Sequence, residues 1–396
     1  MKILPFKAIR ATKPFIKTFS VSVYDAEAKE MALRLNKDNP HSFLHIINPQ
    51  LFEEGILKQD ELYKRSVDTL RKLKEQGILS REEEPAFYIY RQVKRNDVYT
   101  GIIGLADIEE YQASKIKRHE LTRTEKEDKM FRYMSGVRVT GNPVLLTFRN
   151  VDGLDNFIRE NVEAAPEYHF TAEDGTEHML WTVGQKKEII ELENIFKQVD
   201  AFYIADGHHR CAATNLLYPE VKTFMACFIP DDQLKIHGFH RYLKDLNGMK
   251  TSQFLEGLKH YFVVKKVKEG LPNRGQGIIG LFIKDNWYEI HIPEALKRDP
   301  NPKHDLDVYI LDKYIFGKIL GIQDSRTSPI IRYVNGETDL KTLIAPVKRG
   351  DLKAAFVLDA MDIEDMIRIS DYDETMPPKS TWIEPKMRSG LLLNKF

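Results

Sequence analysis

The sequence predicts a mixed α/β fold of the α+β kind, with a mixed-sheet core and an additional smaller α+β domain. Three observations predict it. Short apolar runs of strand length, at 143–148, 201–205 and 224–229, alternate with helical stretches at 59–76, 156–162 and 185–198. Hairpin chemistry recurs: Lys94-Arg95-Asn96-Asp97 separates two apolar runs, and Ala172-Glu173-Asp174-Gly175 tips another pair. Past Asn247-Gly248 the pattern becomes a helix, three strands joined by short turns, and a long helix. The division expected from this change is a core over 1–250 and a smaller region over 251–396.

Taken in order, residues 7–10 open a short strand or extended arm. Residues 26–35 place Ala28, Met31, Ala32 and Leu35 at helical spacing, and Asn39-Pro40 ends that helix. Residues 43–47, with His45 between apolar neighbours, suit a half-buried edge strand. Leu62, Val67, Leu70 and Leu73 stripe the helix at 59–76, which Gly77 stops. A hairpin over 86–93 and 98–106 leads to a short helix or turn at 108–112 and a highly charged, solvated helix at 124–137. Strand 143–148 and helix 156–162 precede a second hairpin over 168–181, in which His169 and His178 are expected to face each other. Helix 185–198 feeds strand 201–205; a short helix at 211–217, stopped by Pro219, and a strand at 224–229 follow. The second region reads as helix 252–260, strands 262–267, 277–284 and 287–292, and helix 307–320. Strands 330–334 and 354–358 and helix 363–369 complete it.

Composition narrows the function classes. Lys plus Arg number 59, as do Asp plus Glu, so bulk charge gives no reason to expect nucleic acid as a partner. No apolar run approaches a membrane span, and residues 1–18 carry lysines in place of a signal peptide's apolar stretch. Cys211 and Cys227 lie in apolar surroundings without metal-ligand spacing, which reads as reduced thiols in a cytoplasmic protein. A P-loop, a G-x-S-x-G elbow and an H-E-x-x-H helix are missing, and Gly275-Gln276-Gly277 lacks the third glycine of a dinucleotide fingerprint. No protein-bound metal is expected.

The chemistry concentrates after strand 201–205. Asp206-Gly207-His208-His209-Arg210 places an acid, a glycine, two imidazoles and a guanidinium in one turn. Helix-start N–H groups pointing the same way as Arg210 would make a phosphate cradle. The plainer alternative has Asp206 capping the helix and the histidines serving as hydrogen-bonded turn residues. Lys117-Arg118-His119-Glu120 sets a carboxylate among basic groups, either as a general base or as part of a charged loop. The tail holds Lys379, Ser380, Thr381, Trp382, Lys386 and Arg388 beside two prolines, a composition that suggests a segment folded back on the body. Its alternative is a basic peptide docked by Trp382.

Asp206 to Arg210 resembles the phosphate-binding signature of the free serine kinases of the ParB/sulfiredoxin-like fold. The whole chain is identified as a member of the DUF1015 family. That resemblance rests on Pro5-Phe6-Lys7-Ala8-Ile9-Arg10, Pro40-His41-Ser42-Phe43-Leu44-His45, Ile116-Lys117-Arg118-His119-Glu120-Leu121-Thr122, Leu180-Trp181, residues 204–210 and the tail from Met376 to Gly390. Where relatives carry Pro-Tyr-Asp, this chain has Val23-Tyr24-Asp25.

The resemblance implies a ParB-like core and a phosphotransferase acting between ADP or ATP and a small hydroxyl substrate, with free L-serine as a candidate. It implies phosphate binding by Gly207, His208, His209, Arg210 and Arg118. His119-Glu120 would supply the base, Asp206 would orient an imidazole or meet Mg²⁺ carried with the nucleotide, and the tail would return to the site. The competing readings are a non-catalytic nucleotide or phospho-ligand sensor, a ParB-like regulator, and a nucleotide hydrolase.

Overall fold

The computed structural model describes residues 1–22, 29–53, 55–268, 275–297 and 299–396. The chain divides into two compact units. The first holds Met1–Lys117, Thr122–Leu234 and Pro385–Phe396; the second holds Arg118–Leu121 and Lys235–Glu384.

The first unit is built on a nine-stranded mixed sheet. Its strands run in the order Ile116–Lys117, Phe202–Asp206, Val144–Phe148, Thr223–Pro230, Asp97–Asp107, Phe87–Lys94, Glu177–Val183 and Tyr168–Thr171. The ninth, Ile3–Leu4, takes up the far half of Asp97–Asp107 where Phe87–Lys94 has ended. Two neighbour pairs are parallel, Phe202–Asp206 with Ile116–Lys117 and Thr223–Pro230 with Val144–Phe148. Val144–Phe148 is buried at every position, which is why its sequence is apolar but for Thr147 rather than alternating. Rings of Phe148, Phe196, Phe202 and Phe228 pack on one another there, the closest pair, Phe202 and Phe228, at 4.8 Å. Cys211 and Cys227 are free and buried in this unit, and burial pushes the Cys211 thiol up to about 12.

The tail closes the first unit. Leu393 and Ile9 exchange backbone hydrogen bonds at 2.7 and 2.9 Å, and Ser389 and Val21 do so at 2.9 Å. Asn394–Lys395 pairs with Val139–Thr140. Arg388, only 3% exposed, donates to the hydroxyls of Ser20 and Ser22 and to the carbonyls of Lys17 and Ser20.

The second unit centres on a six-stranded antiparallel sheet, in the order Val263–Val267, Asn286–His291, Ile278–Ile283, Ala354–Val357, Phe239–Leu243 and Ile331–Asn335. Helix Leu340–Lys348 packs Leu343 and Val347 against Tyr242, Phe282, Ala355 and Val357. Phe316 meets Phe356 edge-on at 5.6 Å. Among the described residues no helix is long and apolar enough to cross a membrane.

Four expectations change. Residues 43–47 are not a strand: Leu44–Ile47 is a helical turn, started by the Ser42 hydroxyl accepting the Leu44 N–H at 3.3 Å. The helix after strand 201–205 begins at His208 rather than 211, because Gly207 supplies the left-handed residue at its start. The α-helix from Asp307 ends at Ile310 and continues as a π-helix over Leu311–Ile319, with Leu320 N–H reaching back to Ile315. His169 and His178 do not face each other. His169 pairs across to Met179 and His178 to Phe170, so the two rings leave opposite faces. His169 lies by Glu177, and His178 bonds the Tyr90 hydroxyl at 2.7 Å. A helix occupies Lys29–Asn36, whereas Val23-Tyr24-Asp25 and residues 26–28 lie outside the described residues.

Arg388→Ala is expected to destabilise the protein by about 2–4 kcal/mol, because it leaves buried serine and carbonyl acceptors without donors. Urea unfolding followed by far-UV circular dichroism reads this as a lower midpoint, and a midpoint equal to wild type would show that the clasp is dispensable.

Candidate functional site

Strand Phe202–Asp206 buries its first four residues and surfaces at Asp206. Gly207 then adopts φ +103°, the left-handed region that favours glycine. A side chain there is excluded a second time: an added Cβ would lie 2.8 Å from the guanidinium carbon of Arg210. The guanidinium therefore packs directly under the turn. Helix His208–Leu216 starts at once, so both histidines and Arg210 stand in its first turn, where N–H groups point out of the helix end.

Arg210 is tied into the protein. Its Nη2 donates to Asp206 Oδ2 at 2.7 Å, and its Nη1 donates to the carbonyl and side-chain oxygens of Asn142, both at 2.9 Å, and to the Pro143 carbonyl. The other Asp206 oxygen, Oδ1, accepts from Lys386 Nζ at 3.1 Å, across 180 residues of sequence. Burial works to raise the Asp206 pKa, but the Lys386 ammonium and the Arg210 guanidinium outweigh it and hold the carboxylate well below the usual range. One negative and two positive side chains leave the cluster with one net positive charge, and the helix dipole adds to it.

His208 is buried, 6% exposed. His209 is half-buried, and its pKa is lowered by burial, then by Lys126, Arg123 and Arg210 against Glu127. It is thus a neutral imidazole at pH 7. Its Nδ1 makes no hydrogen bond among the described residues. Lys117, on the neighbouring strand, lies over the Tyr203 ring at 5.9 Å.

The remaining sequence-predicted residues are distributed as follows. Lys386 reaches the Asp206 carboxylate, whereas Arg388 serves the tail clasp. Arg118, His119 and Glu120 belong to the second unit; the His119 carbonyl accepts from Met376 N–H at 2.9 Å. Lys379, Ser380, Thr381 and Trp382 are also organised there. Lys379 lies over the Phe239 ring at 5.2 Å, Trp382 meets the same ring edge-on at 5.7 Å, and Ser380 donates to the Pro377 carbonyl. Arg241, 1% exposed, anchors this stretch by donating to the carbonyls of Pro378 and Lys379 at 3.2 and 2.8 Å. Sequence reasoning missed Asn142, which fixes Arg210 from 68 residues away. Its one local signal is its place just before Pro143.

The sequence matches the family described as "Protein of unknown function (DUF1015)" over residues 3–309. No curated protein matches it. Among solved structures, the chain is similar to a free serine kinase in complex with AMP, at 16% identity and TM-score 0.38, covering 72% of this chain and 90% of that one. It is similar to a conserved hypothetical protein from Pyrococcus furiosus, at 16% identity and TM-score 0.37, covering 72% and 94%. It is also similar to SbnI with C-terminal truncation from Staphylococcus aureus, at 11% identity and TM-score 0.41, covering 73% and 85%. Likeness at this level transfers no activity to the chain.

Because the folded-state pKa of Asp206 is depressed, its ion pairs stabilise fully at neutral pH and are lost as pH falls below about 4. The side chain is 39% exposed, so solvent screens the pairs and the expected loss in Asp206→Asn is about 1 kcal/mol, roughly 2–4 °C in Tm. Thermal melts across pH should show that gap at pH 7 and its progressive narrowing as pH falls below about 4. A constant gap at all pH values would show that Asp206 acts through packing rather than charge.

Proposed function

The chain belongs to the DUF1015 family of proteins of unknown function, and on that premise we propose that it is a phosphotransferase whose nucleotide phosphates bind at the start of helix His208–Leu216. The observation that carries this reading is the side-chain-free Gly207 turn, with Lys386 and Arg210 converging on Asp206 beside it. A helix start offers N–H donors, the missing Cβ lets the Arg210 guanidinium pack under the turn, and the net positive charge attracts phosphate. Arg210, already held by Asp206 and Asn142, shapes the turn. Lys386, on the half-buried side, is the cation that reaches a phosphate oxygen.

Phosphoryl transfer asks for little more than positioning, charge stabilisation and one base aimed at the incoming hydroxyl. In this reading the donor is ADP or ATP and the acceptor a small hydroxyl compound, with free L-serine first, as the resemblance to the serine kinases implies. Glu120, supported by His119, takes the hydroxyl proton, and Arg118 adds a surface cation. Strand Ile116–Lys117 runs parallel to Phe202–Asp206, with Lys117 opposite Tyr203, and the role given to Glu120 rests on the resemblance. The tail stretch 379–382 then serves the fold around Arg241. Mg²⁺ would supply charge neutralisation of the phosphates. Asp206 does not fit as its ligand while each carboxylate oxygen holds a cation, so the ion would enter on the nucleotide's own oxygens.

Titration calorimetry with ADP, ATP and CTP, followed by detection of phosphoserine, tests the proposal. Lys386→Met is expected to weaken nucleotide binding about 10–100-fold, the loss of one charge-assisted hydrogen bond. Glu120→Gln should leave binding intact and lower turnover about 10²–10⁴-fold. Nucleotide binding without turnover would assign the site to a sensor, and a folded protein that binds none of the three would overturn the phosphate reading.

A further inference from the structure

In the second unit, strand Lys235–His237 pairs antiparallel with Trp382–Glu384, Lys235 opposite Glu384 and His237 opposite Trp382. His237 and Glu384 are therefore diagonal neighbours on one face of the ribbon, within reach for side chains of their length. The imidazole Nε2 lies 3.1 Å from Glu384 Oε2. Another ladder brings a third residue. Phe239 pairs with Asn335, and continuing that register sets Gly238 against Gly336 and His237 against Glu337.

Two glycines make this approach. A Cβ on Gly336 would sit 1.8 Å from the Gly238 carbonyl oxygen, and one on Gly238 would sit 2.5 Å from that of Leu358. No residue with a side chain allows backbones this close. The result is that ligand atoms of His237, Glu337 and Glu384 all lie within 4.8 Å of one another. Donors around an ion bound at about 2.0–2.2 Å stand roughly 3–4.4 Å apart, so the trio needs only a slight contraction. Glu384 is 5% exposed, and His237 and Glu337 are half-buried. Two carboxylates this close repel unless positive charge lies among them.

We propose that His237, Glu337 and Glu384 bind one divalent transition-metal ion, Zn²⁺ or Mn²⁺, with its remaining positions open to water on the half-buried side. One imidazole and two carboxylates suit these ions, whereas Mg²⁺ and Ca²⁺ prefer oxygen donors alone. The site is independent of the nucleotide reading, since it uses none of the same residues.

Calorimetric titration of the metal-free, untagged full chain with ZnCl₂ and, separately, MgCl₂ at pH 7.5 tests it. The expected result is one Zn²⁺ per chain, bound at least about 100-fold more tightly than Mg²⁺. His237→Ala and Glu337→Gln should each weaken Zn²⁺ at least about tenfold with unchanged circular dichroism. Glu384→Gln, being buried, is read only if it folds; the half-buried Glu337→Gln carries the test otherwise. Zn²⁺ binding that is absent, matched by Mg²⁺, or unaltered in both folded variants would overturn the site.

Discussion

The Asp206 carboxylate ties the strand-to-helix turn of the first unit to its distant tail. It ends one strand, and it holds the guanidinium that begins the following helix and the ammonium that arrives with the tail. Each of its oxygens serves one cation, so the loss of either cation leaves one carboxylate oxygen without its charged donor. Gly207 is a consequence of this arrangement: the guanidinium occupies the space where any side chain at 207 would stand. Asn142 and Pro143 are a second consequence, because the far side of the guanidinium needs acceptors as well. A carboxylate held this way stays ionised, and it orders its cations before any anion arrives. The ordering entropy is then spent in folding rather than in binding.

Much of the fold was legible because its signals are local. The apolar run at 201–205, the Val144-Leu145-Leu146 run within 143–148 and the Lys94–Asp97 turn all announce their elements through neighbours in sequence. The misreadings share the opposite cause. Leu44–Ile47 sets His45 between apolar neighbours, which reads as alternation, whereas the chain forms a helical turn whose Leu44 N–H donates to the Ser42 hydroxyl. Helix Leu340–Lys348 has no counterpart among the sequence expectations; it carries Pro346 in its interior and is held by the packing of Leu343 and Val347. The π-helix at Leu311–Ile319 has no sequence period of its own that separates it from an α-helix.

The candidate site was half legible for the same reason. Five consecutive polar residues after a strand are visible at a glance. A phosphate role for Arg210 follows from its place beside the helix-start N–H groups and from the resemblance of the turn to the kinase signature. The structure gives the guanidinium partners at Asp206, Asn142 and Pro143, the latter two nearly seventy positions upstream, and no local pattern encodes such pairing. Lys386 and Arg388 looked equivalent in the tail, two residues apart with like charge. One is aimed at the carboxylate and the other is sealed among serines and carbonyls, a distinction made by which strand edge the tail joins.

The tail's return also sets an order of assembly. Residues 385–396 belong to the first unit although nearly the whole second unit is threaded before them. On the ribosome, where chains emerge and collapse from the N-terminus onward, the large sheet can form long before Lys386 exists. The Asp206–Arg210 turn must therefore wait, with an incomplete charge cluster, until Lys386 has emerged and the tail has folded back on the sheet.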